Sequence, residues 1–178
     1  MIVVSRSIHI RAPVERVFAF MADPVARSAL SPHTRPLAVQ IEGGGPLRAG
    51  SVCHFRLQMN DRILDYRIRV REIAPNQRIV SISDSEVPFE ITLETTADHD
   101  GTRLTQTERF EPTEDMLRQA LPQTPSSAAL ETIYQWLPFL DPEYATRVHR
   151  GREQMLAQQL EGNLEQWLTA IKQHLEAV

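Results

Sequence analysis

GREQMLAQQLEGNLEQWLTAIKQHLEAV, residues 151–178, is the stretch on which the fold turns. Its large apolar residues are Met155, Leu156, Leu160, Leu164, Trp167, Leu168, Ile171 and Leu175. Steps of three and four place them on one face of a 3.6-residue helix. Glu153, Gln158, Glu161, Glu165, Gln166, Lys172 and Gln173 take the other faces. Gly162 costs about 1 kcal/mol relative to Ala there, which weakens the helix without cancelling the pattern. No sustained seven-residue repeat marks a coiled coil. A helix with one wide apolar stripe needs a broad apolar surface to lie on, here within its own domain.

Towards the N-terminus the period changes to two, and the middle of the chain supplies that surface. Arg103 to Glu111 is the last strand, with Leu104, Gln106, Glu108 and Phe110 in one phase. Asp98-His99-Asp100-Gly101 is a hairpin loop by its turn chemistry. Before it, Phe89, Ile91 and Leu93 alternate with Glu90, Thr92 and Glu94, and Val80 and Ile82 continue the inner face into Asp84. Pro75-Asn76-Gln77 is a turn. Leu64, Tyr66, Ile68 and Val70 face in, while Asp65, Arg67, Arg69 and Arg71 face out. Acidic neighbours interleave these arginines, which reads as the solvated face of a strand rather than an anion-binding stripe. Asn60-Asp61 is a tight hairpin turn, preceded by Cys53, Phe55, Leu57 and Met59 on the inner face. Leu37, Val39 and Ile41 form one more strand, broken by Gly43-Gly44-Gly45-Pro46. No Lys-Ser/Thr and no helix follows those glycines, so they do not cradle a phosphate. An antiparallel meander with one apolar face results, and the terminal helix is its natural cover.

At the other end, Ile2 to Ile10 is a strand with Val4, Arg6, Ile8 and Ile10 in phase. Ala12-Pro13 starts a helix whose stripe is Val14, Val17, Phe18 and Met21. Asp23-Pro24 starts a second short helix that should end near Leu30 or Ser31. Glu111 to Arg150 is the least regular part, punctuated by Pro112, Pro122 and Pro125. Met116 to Leu121 reads as one or two helical turns. Leu130, Ile133, Tyr134, Leu137 and Leu140 suggest a short apolar helix; Trp136 and Phe139 beside it read as core by default, with a cavity lid or a homodimer surface as the alternatives. Asp141-Pro142 can start a helix that runs through Gly151 into the terminal one.

A length of 178 residues fits one domain spanning 1–178, with 111–150 as a helical insertion. Hydrophobic residues at 42% and charged residues at 24% make an ordinary globular mixture, not a disordered one. A net charge of −4, with no basic run among aromatics, argues against nucleic acid as a partner. The first residues are too short and polar a stretch for a secretory signal, and nothing approaches a membrane span. Cys53 is the only cysteine, so no internal disulfide forms and a reducing cytoplasm is the simplest setting. His9, His33, His54, His99, His149 and His174 lack ligand spacing, so no metal and no cofactor is expected. There is no Gly-x-Ser-x-Gly elbow.

The segment Ser7-Ile-His-Ile-Arg-Ala-Pro-Val-Glu-Arg-Val-Phe18, closing with Asp23, resembles the start of START-like proteins of the SRPBCC superfamily, the polyketide cyclase/dehydrase and lipid-transport type. The resemblance continues through Val70-Arg-Glu-Ile-Ala-Pro75 into Ile79 to Ser83. It resumes at Gly101-Thr-Arg-Leu-Thr-Gln-Thr-Glu108 and at Leu164 to Glu176, leaving out Glu111 to Arg150. It implies an α+β helix-grip fold: a curved antiparallel sheet of about seven strands around the C-terminal helix. It also implies an elongated, mostly apolar cavity between sheet and helix. The order of motifs speaks for the fold and says little about chemistry, because the superfamily includes carriers, receptors, cyclases, hydrolases and co-chaperones.

Polar residues sharing phase with the inner face are then the candidates: Arg6, Tyr66, Asp84, Gln106 and Glu108, with Thr95 weaker. Buried charges must be paired, shifted in pKa, or met by ligand. Because the fold implies neighbouring first and last strands, an Arg6–Glu108 pair is one expectation; the other is that the strand ends curl outward and these side chains reach solvent. With the apolar Phe55, Leu57, Ile68, Phe89, Ile91, Leu164 and Trp167, these residues outline a site for a small hydrophobic or aromatic molecule. Cys53 reads as a small core residue. Two other functions stay open: a cyclase/dehydrase-like enzyme using the inward polar groups, and a protein-binding module of the co-chaperone kind, which would expose an apolar patch instead.

Overall fold

The computed structural model of the chain describes residues 1–84, 88–119 and 142–177. Seven antiparallel strands form one sheet in the order β1-β7-β6-β5-β4-β3-β2. They are β1 (Ile2–Ile10), β2 (Arg35–Ile41), β3 (Val52–Met59), β4 (Arg62–Ala74), β5 (Arg78–Ser83), β6 (Phe89–Asp98) and β7 (Gly101–Phe110). Helices α1 (Val14–Met21) and α2 (Pro24–Ser28) follow β1, α3 (Glu114–Gln119) follows β7, and α4 (Pro142–Glu176) closes the chain. This is the helix-grip α+β architecture. The apolar stripe of residues 130–140, Trp136 and Phe139 included, lies outside the described residues.

Local chemistry accounts for the connections. Asn60, Asn76 and His99 hold the hairpin turns with φ of 52°, 60° and 46°, the left-handed region that Asn tolerates better than most residues. The Asp23 carboxylate accepts from the Val25 and Ala26 amides at 2.9 and 3.0 Å, with Pro24 at the first helical position. That N-cap starts α2 where the sequence placed it. The outer sheet face is wet, and several of its arginines are met by carboxylates, as in Arg67–Glu42 at 2.7 Å and Arg78–Glu72 at 2.6 Å.

The core falls into three clusters. Leu164, Leu168, Ile171 and Leu175 of α4 pack on Ile10, Val70, Ile79, Leu93 and Leu104 of the sheet, with Val17, Phe18 and Met21 of α1. Leu156 meets Ile2, Val4, Phe110 and Leu117. Cys53, Phe55, Leu57 and Ile68 form the third cluster, with no residue of α4 in it among the described residues. The long helix thus covers the β1 end of the sheet and leaves the β3–β4 part of the inner face to be closed otherwise. It is continuous through Gly151 and Gly162, and neither glycine has a neighbour near an added Cβ.

Three expectations are corrected. Met155 is 38% exposed and lies off the stripe, whereas Leu156 is buried. Leu37 is exposed because the β2–β3 register shifts between Pro36 and Ala38. The third concerns β5, whose inner residues are Ile79, Ser81 and Ser83, not Val80 and Ile82. A register shift between Val70 and Glu72 inserts one extra residue into β4. Since side chains alternate with period two, the bulge moves the inner set of β4 from even positions to Ile73, which is paired with Ile79.

Candidate functional site

A cavity of about 240 Å³ lies where α4 leaves the inner face uncovered. Phe55 and Leu57 of β3, Leu64, Tyr66 and Ile68 of β4, and Ile91 of β6 supply its apolar wall. Gln106 and Glu108 of β7, Trp167 of α4, and Arg27, Ser28, Ser31 and Thr34 of α2 and the turn after it complete the lining. Phe55 and Tyr66 are cross-strand partners with stacked rings 5.4 Å apart, and Phe89 meets Tyr66 edge-on at 5.7 Å. Stacked and edge-on contacts fix ring orientation beyond what burial alone would do.

The polar groups differ in how they are satisfied. Gln106, 2% exposed, donates from Nε2 to Glu108 Oε1 at 2.6 Å, and its own Oε1 is buried without a partner among the described residues. Burial pushes the Glu108 carboxyl above the usual carboxylate range, and the Gln106 amide acts in the opposite direction. Burial also raises the Tyr66 hydroxyl; the Arg27 charge pulls it down and Glu108 pushes it further up. Ser28 Oγ donates to the Val25 carbonyl at 3.0 Å, and Ser31 Oγ accepts from Thr34 Oγ1 at 2.8 Å. Trp167 brings an indole N–H that is buried without a partner among the described residues.

Arg27 stands apart. It is 8% exposed and donates from Nη1 to the Met21 carbonyl at 3.2 Å. No carboxylate lies in ion-pair range of it among the described residues. The field of Asp23, whose side chain caps α2, reaches it only weakly beside the desolvation that pulls its pKa down.

Of the candidate residues, Phe55, Leu57, Tyr66, Ile68, Ile91, Gln106, Glu108 and Trp167 share the lining of this cavity. Phe89 supports the wall through Tyr66, and Leu164 belongs to the core cluster under α4. Asp84 does not face inward. The β4 bulge turns Ser83 inward, so Asp84 is exposed, and its Oδ1 accepts from the Arg67 amide at 3.1 Å. Arg6 pairs with Glu161 of α4 at 2.5 Å rather than with Glu108. Register sets Arg6 opposite Gln106 and beside the covering helix, while Glu108 bonds along its own strand. Thr95 is buried with its hydroxyl unpartnered among the described residues but does not line the cavity.

Sequence reading missed Arg27, Ser28, Ser31 and Thr34, and placed Leu64 on the inner face without counting it in the site. Pro24, Arg27 and Ser28 are the buried residues of α2, a helical spacing of three and four. A hydrophobicity scan does not register that spacing, because the residues that carry it are mostly polar. Among the described residues no cluster of His, Cys, Asp or Glu could hold a metal ion, and no helix is long and apolar enough to cross a membrane.

Seven antiparallel strands gripping a long C-terminal helix, with a lined cavity beside it, define a helix-grip protein of the SRPBCC type. The chain belongs to the polyketide cyclase / dehydrase and lipid transport family, whose profile matches residues 1–137. No curated protein matches it in sequence. Among solved structures it is similar to TTHA0849 from Thermus thermophilus, with 15% identity, TM-score 0.61, and coverage of 99% of this chain and 98% of that one. It also resembles MLL2253 from Mesorhizobium loti, at 10% identity and TM-score 0.60, covering 99% and 98% of the two chains. The polyketide cyclase-like protein Cgl2372 from Corynebacterium glutamicum shares 17% identity at TM-score 0.55, over 98% and 91%. At these identities the likeness concerns the fold.

Glu108 makes one property of the site measurable. Its folded carboxyl titrates above the ordinary value, so the native protein keeps a proton that the unfolded chain has already lost. Stability should therefore fall as pH rises from about 4.3 through the folded pKa, and level off above it. Glu108→Gln should flatten that descent and raise the denaturation midpoint at pH 8 relative to wild type. Equal losses between pH 4 and pH 8 in the two proteins would contradict the burial assigned to Glu108.

Proposed function

We propose that the protein binds a small hydrophobic or aromatic molecule in this cavity, with the chain acting as one ligand-binding domain and 111–150 as its helical insertion. The observation that carries the reading is the cavity of about 240 Å³, walled by Phe55, Leu57, Ile68 and Ile91 and edged by a few polar groups. That mixture is the usual lining of a small-molecule site, the apolar wall giving affinity and the polar minority direction. Size narrows the class. A cavity of roughly 150 Å³ accommodates benzene, so the ligand portion held here is about one to two rings, or an acyl segment of similar bulk. Family membership supports the reading without naming a ligand. A cytoplasmic setting, where the Cys53 thiol stays reduced, accompanies it.

One observation favours a second reading, a cyclase/dehydrase-like reaction. Glu108, whose carboxyl is raised by burial, shares the cavity with the Tyr66 hydroxyl, and a carboxyl that holds its proton more tightly than usual is suited to act as a general acid. The protein-binding alternative has less behind it. The large exposed apolar residues, Val3, Val25, Leu37, Ile63 and Met155 among them, are spread over different elements.

The test is a thermal-shift screen of medium-chain fatty acids and of one- and two-ring phenols, followed by titration of Leu57→Trp with any hit. Leu57 is 6% exposed in the cavity wall, and the larger ring should fill the space and weaken binding by about ten-fold or more. A Leu57→Trp protein that binds as well as wild type would place the ligand elsewhere.

A further inference from the structure

We propose that the molecule bound here is an amphipathic anion, its carboxylate or similarly compact acidic group seated on Arg27 and its apolar body lying along Phe55, Leu57, Tyr66 and Ile68. This rests on the ligand-binding reading above and specifies its chemistry.

Two ionisable groups of opposite charge type line the cavity, and burial treats them differently. Glu108 on β7 can escape the cost of burial by keeping its proton, and Gln106 already satisfies one of its oxygens at 2.6 Å. Arg27 on α2 has no such escape, because a guanidinium does not give up its proton in proteins. It carries five N–H donors, and among the described residues a single acceptor meets it, the Met21 carbonyl at 3.2 Å. A cation that is 8% exposed and lacks a carboxylate in reach among the described residues is an uncompensated charge. It sits in the lining of a cavity with room for a ligand, so an anion placed there would gain a desolvated, planar donor fork.

The surroundings favour the same sign. Burial keeps the Tyr66 hydroxyl protonated and able to donate, although the Arg27 charge acts in the opposite direction. Trp167 adds a buried N–H with no partner among the described residues. The hydroxyls of Ser28 and Ser31, by contrast, are engaged with their own turns. Burial between these donors and the apolar wall would orient such a ligand with its acid towards α2 and its rings towards β3 and β4.

Three isosteric probes distinguish this from its alternatives: 2-naphthoate, neutral 2-naphthamide and cationic 2-naphthylmethylammonium, each titrated calorimetrically into the full chain. Naphthoate should bind about ten-fold or more tightly than naphthamide, the scale of a charge-assisted hydrogen bond, with the ammonium weakest. Arg27→Met should bring naphthoate down to the naphthamide level while leaving naphthamide within about two-fold. Arg27→Lys, which keeps the charge and serves if the methionine variant fails to fold, should retain a reduced preference for the acid. Leu57→Trp should weaken all probes that bind. Equal binding of naphthoate and naphthamide, both weakened by Leu57→Trp, would leave the cavity reading standing and overturn the anion. Tightest binding of the ammonium would move the head group to Glu108 and overturn it too. Naphthoate binding indifferent to Leu57→Trp, or no binding of any probe, would overturn both readings.

Discussion

Leu168→Ala is expected to lower the free energy of unfolding by about 2–5 kcal/mol. Leu168 is 1% exposed and lies where α4 meets the sheet and α1. Its neighbours there include Ile10, Leu93 and Leu104 from three different strands, and Phe18 from α1. A rigid sheet on one side and a helix anchored along its length on the other leave little freedom to collapse into the space, so the cavity term should be near its upper range. Trp167, the preceding residue, makes a useful contrast. It is half-buried and lines the cavity rather than the centre of the core. Trp167→Ala should therefore cost less stability than Leu168→Ala and change ligand affinity more. Guanidinium midpoints for the two variants decide it. An unchanged midpoint for Leu168→Ala would refute the packing of the long helix on the sheet.

Gly101→Ala should destabilise by about 3 kcal/mol, towards the top of the range for overpacking, although alanine adds a single methyl group. A Cβ at Gly101 would run into the Ile10 carbonyl oxygen and crowd the Arg11 backbone. Here β1 ends and the chain turns past the β6–β7 hairpin into α1, held by Thr102 Oγ1 donating to the Ala12 carbonyl at 2.8 Å. The obstacle is backbone rather than a side chain, so nothing can rotate out of the way. Relief requires β1 to move from β7 or the hairpin to distort. The same junction receives the end of α4, where Glu176 Oε1 accepts from the Arg11 amide at 2.8 Å. Loosening it should therefore also speed amide exchange in the last turns of α4. Thermal midpoints of Gly101→Ala and wild type test the first point, and a variant as stable as wild type would show that the close approach is absent.

The strands and the long helix were legible because their signals are local. Period-two alternation in Cys53 to Met59 and Leu64 to Val70 needs nothing beyond the residues themselves, and neither does the spacing of Leu156, Leu160, Leu164, Leu168, Ile171 and Leu175. Turn chemistry at Asn60-Asp61 and at His99-Asp100 set the hairpins, and Asp23-Pro24 the start of α2. Much of the cavity wall followed, since residues in phase on adjacent antiparallel strands share a face.

What the sequence could not decide is where parity changes and which polar residues are covered. One extra residue near Arg71 inverts the phase of β4, turning Ile79, Ser81 and Ser83 inward and Asp84 out, although Val80 and Ile82 are the more apolar pair. A bulge leaves no local mark, because its cause is the pairing of distant strands. Partner choice is likewise tertiary: Arg6 reaches Glu161, 155 positions away, because the helix lies along β1. Arg27 is the sharpest case. In a five-residue helix an arginine reads as surface, and its burial comes from the packing of α2 against β2 and α1. Local patterning thus determined the elements and their apolar faces, whereas the position of the cavity and the buried charge in it depended on how those faces were brought together.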